Sequence, residues 1–472
     1  MSAPPHSDAL VFFGATGDLA YKQIFPALQA LVRRGALNTP VVGVAKSGWT
    51  LDQLRGRARA SLEHHGGVDR GAFDKLCGLL RYVDGDYGDP TTFDRLGREL
   101  GGAVRPLHYL AIPPSAFPQV IDGLARSGCA KQARVAVEKP FGRNLASAQQ
   151  LNRTLHKVFP ESSIFRIDHY LGREPVQNLL YFRFANPTLE TMLNRDHVDG
   201  VQITMAEPFG VQGRGKFYEE TGAIRDVMQN HLLQLLAILI MDPPVGNDVE
   251  ALRDEKSRLL RAIAPLDADH VVRGQFRGYR SEPGVAPDSK VETFAAVELR
   301  IDSWRWAGVP FFIRAGKCLP MDAVEVRARL KGPPRDVFGE GLPYPNHFRF
   351  RVGPGVSALA LGMLVKRPGE SKSGREVELL ASESECEEGN LLTYERLLGD
   401  AMRGDANLFA RQDAIDAQWR IVDPILDLDA APFPYEPGSW GPAEADRLVA
   451  KIPGGWRPPV EPDVPTKPRR KS

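Results

Sequence analysis

The strongest constraint on this chain is the rhythm of its first third, where short β-forming runs alternate with longer helical patterns. The β-forming runs lie at 9–13, 41–45, 80–83, 107–112, 134–137 and 164–167. The helical patterns lie at 19–34, 50–64, 73–80, 91–100, 115–127 and 145–158. Parallel strands need crossover connections, and helices are the usual crossover. The alternation therefore predicts an α/β domain with a doubly wound parallel sheet.

After residue 167 the pattern changes. Helical patterns at 174–184 and 224–240 are followed by alternating runs at 293–301, 309–314, 324–330 and 348–352. Consecutive strands without long helices between them favour an antiparallel sheet, so we expect a second domain of α+β type. The predicted division is 1–167 for a nucleotide-binding domain and 168–472 for the second domain. Pro and Gly cluster at 332–345 and after Pro432, and we predict loops there.

Composition excludes several kinds of partner. Of the 472 residues, 43% are hydrophobic and 25% are charged, which is typical of a globular protein. Lys and Arg number 60 against 59 Asp and Glu, so the net charge of +1 provides no field for nucleic acid or anionic lipid. The longest apolar block, 232–241, is too short to span a membrane. The basic tail at 467–472 is interpreted as a solvated terminus.

The cysteines point to a reducing compartment. Cys77, Cys129, Cys318 and Cys386 lie far apart and form no CxxC pair. This argues against a zinc ribbon and against a disulfide framework. We therefore expect a cytoplasmic protein without a structural metal.

The first strand leads into a glycine-containing turn. The sequence GATGDLA at 14–20 follows the run 9–13 and opens a helical pattern. Glycines in such a turn let the backbone approach a pyrophosphate, and the helix that follows presents free N–H groups. The spacing is GxxGxxA rather than GxGxxG, so the order strand, turn, helix carries the prediction of a dinucleotide site. A structural turn without a ligand is the alternative.

The residue after the second strand indicates which dinucleotide is used. An acid at this place suits the ribose 2′-hydroxyl of NAD, whereas a cation suits the 2′-phosphate of NADP. The chain has Lys46 there and no acid directly beside it. We predict NADP as the cofactor and Lys46 as its 2′-phosphate contact. The alternative is a surface lysine in a loop.

Two further segments concentrate polar chemistry. At the predicted domain junction, His169, Tyr170 and Arg173 are donors of the kind that hold a phosphate monoester, and Asp168 has the chemistry to orient an imidazole. His231 is the last residue of a polar segment that begins a predicted helix, and the later residues of this helix are apolar. This pattern predicts that His231 lies at the edge of the core. Histidines on helices are often structural, so a structural role for His231 stays open at this point.

Six motifs together resemble one family, the glucose-6-phosphate dehydrogenases. They are GATGDLA at 14–20, EKPFG at 138–142, RIDHYLG at 166–172, EPFG at 207–210, RDVMQNH at 225–231 and RAGK at 314–317. The resemblance implies a Rossmann-type first domain followed by a domain with a large, mostly antiparallel sheet. It also implies oxidation of β-D-glucose 6-phosphate at C1 by NADP to 6-phosphoglucono-1,5-lactone, the first step of the oxidative pentose phosphate pathway.

The same resemblance implies residue roles. His231 is the expected catalytic base, and Asp168 is the carboxylate expected to stabilise its imidazolium. The cofactor residues implied by the match are Gly14, Thr16, Gly17, Asp18, Leu19, Lys46, Tyr109 and Lys139. The substrate residues implied are Lys139, His169, Tyr170, Arg173, Glu207, Asp226 and Lys317. Of these, His169, Tyr170 and Arg173 are expected to hold the sugar phosphate.

The resemblance further implies a homodimer or homotetramer. It makes Pro140 a hinge proline, and the peptide bond before a proline is the usual place for a cis form. The reaction requires no metal.

The chain departs from the family pattern at four places. Tyr21, Lys22 and Gln23 stand where the family usually has more basic residues, and Lys46 replaces an arginine. Arg173 replaces a lysine, and the acid Asp322 stands where a cation is usual. A dehydrogenase of another sugar or sugar phosphate therefore stays open as an alternative. A catalytically silent regulatory homologue is a third interpretation, which the presence of both Asp168 and His231 argues against.

Overall fold

A computed structural model describes residues 6–338, 346–369, 373–384 and 391–461. Part of the predicted loop 332–345, Cys386 and the basic tail 467–472 lie outside these residues. The chain divides into two compact units. The first comprises Met1–Arg173, Pro244–Asp254 and Leu391–Asp416, and the second comprises Glu174–Pro243, Glu255–Asn390 and Ala417–Ser472. The predicted domain boundary after residue 167 stays a prediction.

The described residues form strands β1 to β16 and helices α1 to α13, numbered along the chain. The strands are Ala9–Phe13, Val41–Ala45, Leu80–Asp84, Pro106–Leu110, Arg134–Glu138, Ile164–Ile167, Val198–Ala206, Val271–Phe276, Phe294–Leu299, Phe311–Gly316, Ala323–Leu330, His347–Val352, Val356–Lys366, Gly374–Ser384, Phe409–Ala410 and Phe433–Tyr435. The helices are Phe25–Arg33, Leu51–His64, Arg70–Leu79, Pro90–Leu100, Phe117–Arg126, Leu145–His156, Glu174–Phe184, Pro187–Met192, Gly215–Ala223, Leu233–Ile240, Val249–Ala262, Thr393–Arg403 and Gln412–Val422.

The first unit contains a seven-stranded sheet in the order β15-β6-β5-β4-β1-β2-β3. β1 to β6 run parallel to one another, which confirms the predicted doubly wound sheet. β1, β2, β4 and β5 are buried at every residue, as strands covered on both faces must be. The strand order reverses between β1 and β4, and ligands of such sheets bind at the carboxyl ends of the strands beside this reversal.

One strand of this sheet has no signal in the sequence. β15 has only two residues and pairs antiparallel with β6, with Phe409 opposite Ile167. Two residues show no periodicity, so only the tertiary fold reveals this pairing.

The second unit contains a nine-stranded sheet in the order β14-β13-β12-β11-β7-β10-β9-β8-β16. The pairs β7 with β10 and β8 with β16 are parallel, and the other pairs are antiparallel. This confirms the predicted mostly antiparallel sheet, whose β9 to β12 correspond to the four predicted runs. The loop predicted after Pro432 is wrong at Phe433–Tyr435, which forms β16 by pairing with β8 far away in sequence.

Two predicted α-helices begin differently from the prediction. The helix at 19–34 starts as a π-helix over Ala20–Ile24, and the helix at 224–240 starts as a π-helix over Ile224–Leu232. A π-turn shows the same apolar periodicity as an α-helix over so few residues, and it is frequent at functional sites. Both π-helices carry motif residues. Across the part of the chain that the structure describes, no helix combines the length and apolarity required to cross a bilayer.

Candidate active site

The glycine turn after β1 is held against the neighbouring strands. Gly14 has φ +79°, and a Cβ added there would lie 2.3 Å from the carbonyl oxygen of Ala111, just after β4. The Gly14 N–H donates to the Val44 carbonyl at 2.9 Å and lies 3.0 Å from the Tyr87 hydroxyl. Only a residue without a side chain fits this turn. The turn lies at the strand-order reversal, where the fold places ligands.

The residues after Gly14 open toward solvent. Gly17 and Asp18 are exposed, whereas Thr16 and Leu19 are half-buried. Arg57 of α2 lies beside them, with its guanidinium carbon 4.2 Å from the ring centroid of Tyr21 and a guanidinium nitrogen 3.9 Å from the Asp18 carboxylate. Arg57 was not predicted from the sequence. Arg57 thus places a cation beside the turn. The chain has fewer basic residues at 21–23 than the glucose-6-phosphate dehydrogenases usually have there.

The ends of β1 and β2 meet at a group of short polar side chains. Thr16 Oγ1 lies 2.8 Å from the Oγ atom of Ser47, the residue that follows Lys46 in the sequence. Lys46 is exposed, and its ammonium lies 2.6 Å from a carboxylate oxygen of Asp86, which follows β3. Ser47 and Asp86 were not predicted, since hydroxyls and acids in loops carry no distinctive pattern. The structure thus brings Thr16 and Ser47 into contact and pairs the predicted cation Lys46 with an acid.

Tyr109 lies in the core beneath this edge of the sheet. It is fully buried, and its hydroxyl donates to Glu138 Oε1 at 2.7 Å. Burial raises the pKa of Glu138 to about 7, although hydrogen bonds from Tyr109 and Tyr394 act in the opposite direction. Lys139 follows at the end of β5, half-buried, and the Lys139–Pro140 peptide bond is cis, as expected. Glu138 begins the EKPFG motif but had no predicted role, and Tyr394 was not predicted.

A short 3₁₀-helix, His169–Gly172, places three donors side by side. Asp168 begins it, with Oδ1 accepting from the Tyr170 N–H at 3.0 Å. The ring centroids of His169 and Tyr170 are 5.3 Å apart, and the Arg173 guanidinium carbon lies 5.2 Å from the Tyr170 ring centroid. An imidazole, a phenol and a guanidinium are thereby grouped within the first unit, and the role predicted for them toward an anion stays a prediction.

The second unit contains a buried lysine and a carboxylate at the ends of two parallel strands. Ala206 of β7 pairs with Gly316 of β10, so the next residues, Glu207 and Lys317, are neighbours. Lys317 Nζ lies 2.7 Å from Glu207 Oε2, and only 7% of Lys317 is exposed. The same ammonium lies 5.2 Å from the ring centroids of Phe209 and Tyr218. The lysine is therefore held in one orientation by charge and by two aromatic faces.

The π-helix Ile224–Leu232 carries Asp226 and His231. Its first N–H, that of Ile224, donates to Glu292 Oε1 at 3.0 Å. Just before it, Gly222 has φ +61°, and a Cβ there would lie 2.4 Å from Glu292. His231 is 2% exposed and Asp226 is half-buried. Glu292, far away in sequence, thus anchors the start of the helix that presents both residues.

Tyr218 is electrostatically linked to this group. Burial, followed by the charges of Asp226, Glu207 and Glu292, raises the pKa of Tyr218 above its usual value. The phenol therefore stays neutral and keeps its proton. Tyr218 was not predicted, because a single tyrosine near a helix start has no distinctive spacing.

The site residues divide between the units. The first unit contains Gly14, Thr16, Gly17, Asp18, Leu19, Lys46, Tyr109, Lys139, Asp168, His169, Tyr170 and Arg173. The second unit contains Glu207, Asp226, His231 and Lys317. Gln23 and Asp322, two of the residues at which the chain differs from the family pattern, are exposed. The first unit has the glycine turn after β1 and the group of donors at 169–173, whereas the second has an imidazole and a fixed ammonium.

Comparison with known proteins covers nearly the whole chain. Residues 11–178 match the family described as glucose-6-phosphate dehydrogenase, NAD binding domain, and residues 180–457 match glucose-6-phosphate dehydrogenase, C-terminal domain. Glucose-6-phosphate 1-dehydrogenase 1 of Mycobacterium bovis is 45% identical over 459 residues, which are 96% of this chain and 97% of the relative.

Two solved structures are also similar. The crystal structure of glucose-6-phosphate 1-dehydrogenase from Mycobacterium avium has a TM-score of 0.90 and 46% identity, covering 98% of this chain and 100% of that one. A glucose-6-phosphate dehydrogenase in complex with its substrate glucose-6-phosphate has a TM-score of 0.88 and 34% identity, covering 96% and 100%.

Proposed function

The chain belongs to the glucose-6-phosphate dehydrogenase family, and we propose that it oxidises β-D-glucose 6-phosphate at C1, with NADP as the hydride acceptor. The product is 6-phosphoglucono-1,5-lactone, and the reaction is the first step of the oxidative pentose phosphate pathway. The observation that carries this proposal is similarity across both units. NADP supplies the nicotinamide C4 that accepts the hydride.

The first unit fits a dinucleotide. The Gly14 turn leaves no room for a side chain against Ala111. It follows β1 at the carboxyl end of the parallel strands, where this fold binds a pyrophosphate. Gly14, Thr16, Gly17, Asp18 and Leu19 form the turn, and Lys46 stands at the 2′-phosphate position. Tyr109, buried behind this edge, supports it through Glu138. We assign the cofactor to these residues together with Lys139.

The chemical step assigned to this chain is removal of the C1 hydroxyl proton. His231 takes this proton, since an imidazole titrates near neutral pH, and Asp168 stabilises the imidazolium as the family resemblance implies. His169, Tyr170 and Arg173 hold the sugar phosphate through charged and neutral donors. Lys139, Glu207, Asp226 and Lys317 orient the sugar hydroxyls, and the fixed Lys317–Glu207 pair makes two of these contacts rigid.

We propose a homodimer or homotetramer as the working form, located in the cytoplasm. An apolar surface at the edge of the second sheet supports self-association. On one face of β13 and β14, Leu361 lies opposite Leu379 and Met363 opposite Val377, and Leu379 is 61% exposed. Exposed apolar patches on a sheet face are typical of subunit interfaces. Cys77, Cys129 and Cys318 are free thiols, which suits a reducing compartment.

The initial rate of NADPH formation, followed by absorbance with glucose 6-phosphate, tests the proposal. We expect turnover with NADP, and we expect His231→Asn to reduce kcat by at least ~10²-fold, the low end for loss of a general base. His197→Asn makes the same change at an exposed histidine of the second unit and is the matched control. Near-normal kcat in His231→Asn would contradict the base assignment.

A panel of hexoses and hexose phosphates, assayed in parallel, tests substrate identity. If another sugar were turned over faster than glucose 6-phosphate, that sugar would be assigned as the substrate instead. No turnover of any member would favour the silent homologue.

A further inference from the structure

The cation predicted for the cofactor phosphate already has an acidic partner in this chain. Lys46 Nζ lies 2.6 Å from Asp86 Oδ2. The side chains are 72% and 50% exposed, so the pair lies in water rather than in the core. Exposed ion pairs contribute little to stability, and a competing anion can open them at small cost. The contact therefore does not commit Lys46 to Asp86.

Asp86 is the fixed member of this pair. Its second oxygen, Oδ1, accepts from the Gly88 N–H at 2.8 Å, and its backbone carbonyl accepts from Thr92 Oγ1 at 2.9 Å. Lys46 has a flexible four-carbon stem that allows its ammonium to turn toward another acceptor. Breaking the pair thus moves the lysine and leaves the carboxylate in place.

A second carboxylate lies beside the pair. Asp84 Oδ1 accepts from the N–H groups of Ser47 and Gly48 at 2.9 and 2.8 Å. The hydrogen bond from Ser47, followed by that from the Tyr82 hydroxyl, is the main reason why the pKa of Asp84 is lowered. The backbone donors that follow Lys46 are therefore occupied. The end of β2 is thus flanked by one lysine and two carboxylates, and Lys46 is the group there that is able to change partner.

Dinucleotide sites of this fold use an acid for the ribose 2′-hydroxyl of NAD and a cation for the 2′-phosphate of NADP. Here the cation follows β2 and the acid follows β3, and their charged groups are in contact. We infer that Lys46 and Asp86 form a cofactor selector. Lys46 leaves Asp86 to pair with the 2′-phosphate of NADP, whereas Asp86 accepts a hydrogen bond from the 2′-hydroxyl of NAD. The chain consequently uses NAD as a second hydride acceptor, and Asp86 sets the preference between the two.

This inference rests on the proposed dehydrogenase function for its turnover data, but its main test is binding. Dissociation constants of NADP and NAD are measured by isothermal titration with the full chain and its variants. Asp86→Asn keeps an oxygen for the Gly88 N–H but loses the charge. We expect it to bind NADP about threefold more tightly, since the competing anion is gone, and to bind NAD about threefold more weakly.

The variant Lys46→Gln tests the other member of the pair, the cation. It should weaken NADP binding by about tenfold, the loss of one charged hydrogen bond, and strengthen NAD binding, because Asp86 loses the cation that competes for its carboxylate. The NADP effect should shrink at high salt, because the site is exposed. Asp74→Asn removes the same charge from an exposed position on α3 and is the matched control.

The outcomes separate this inference from the proposed function. Unchanged NADP and NAD affinities in Asp86→Asn, or a wild type that neither binds nor reduces NAD, would overturn the selector even where glucose 6-phosphate is oxidised with NADP. Altered cofactor affinities in a chain that oxidises no sugar would support the selector and remove the proposed function. If Asp86→Asn did not fold, tighter NAD binding by Lys46→Gln than by the wild type would still support the selector, and equal NAD binding by the two proteins would overturn it.

Discussion

A methyl group at position 14 would meet the Ala111 carbonyl oxygen at 2.3 Å, on a backbone with φ +79°. We therefore expect Gly14→Ala to weaken NADP binding by about tenfold or more, since strain of about 1–2 kcal/mol adds to the displacement of the turn. Isothermal titration measures the affinity, and thermal unfolding measures the accompanying loss of stability.

Gly35→Ala is the control for this prediction. Gly35 has φ +74°, but nothing lies within 4 Å of its added Cβ. It imposes the same backbone strain without the collision. Equal NADP affinities in the two variants would contradict a special role for the turn.

Glu138 makes the stability of the protein depend on pH. Its pKa is about 7 in the folded chain, mainly because of burial, against an ordinary value of 4.5. Between these values the folded state binds more protons than the unfolded state, so stability falls as pH rises. The wild-type free energy of unfolding, taken relative to Glu138→Gln, should decrease by up to about 3 kcal/mol from pH 5 to pH 8.

Urea denaturation of both proteins at the two pH values measures this difference. Glu99→Gln makes the same chemical change at an exposed position and serves as control. If the difference in free energy of unfolding between the wild type and Glu138→Gln were the same at both pH values, Glu138 would be ionised in the folded protein at pH 5 as well as at pH 8.

At the scale of elements, the π-helix Ile224–Leu232 depends on a cap from outside the helix. Glu292 accepts the Ile224 N–H at 3.0 Å, and burial raises the pKa of this carboxyl above its usual value. Glu292→Ala should lower the free energy of unfolding by about 1–2 kcal/mol, as the loss of a helix cap does, and should reduce kcat by displacing His231. Urea denaturation and initial rates measure the two effects.

Glu292→Gln retains an oxygen acceptor and should restore most of both quantities. If Glu292→Ala lost stability but kept wild-type kcat, the cap would be structural and would not position His231. Full activity with full stability would show that the helix start needs no cap from Glu292.

At the scale of the whole molecule, the apolar surface of β13 and β14 predicts an oligomer. Leu379→Glu places a charge on this surface, where Leu379 is 61% exposed. We expect it to raise the dissociation constant of the dimer by at least ~10²-fold, since a buried charge at an interface centre is unpaired. Sedimentation velocity measures the assembly.

Val104→Glu is the corresponding control, because Val104 is 50% exposed in the first unit. It should leave the sedimentation coefficient unchanged. A wild type that sediments as a monomer would contradict the proposed oligomer, and a Leu379→Glu variant that stays dimeric would place the interface elsewhere.

Much of the fold follows from local pattern. The runs that became β1 and β2 are short, apolar and bounded by turn residues, so their strand character and even their limits were predictable. The parallel arrangement followed from helices between them. β15 and β16 were not predictable, because two or three residues become a strand only when a distant partner supplies the hydrogen bonds.

The site shows the same division. Motifs identified the family and the residues expected to act, including Gly14, Lys46 and His231, because the chemistry of a turn or an imidazole is carried by residue type and spacing. The partners that tune them come from far along the chain: Asp86 beside Lys46, Glu138 beneath Tyr109, and Glu292 at the helix of His231. Charge proximity and burial decide the strength of an ion pair or the pKa of a carboxyl. Both quantities exist only once the chain has folded, so the tertiary structure alone decides them.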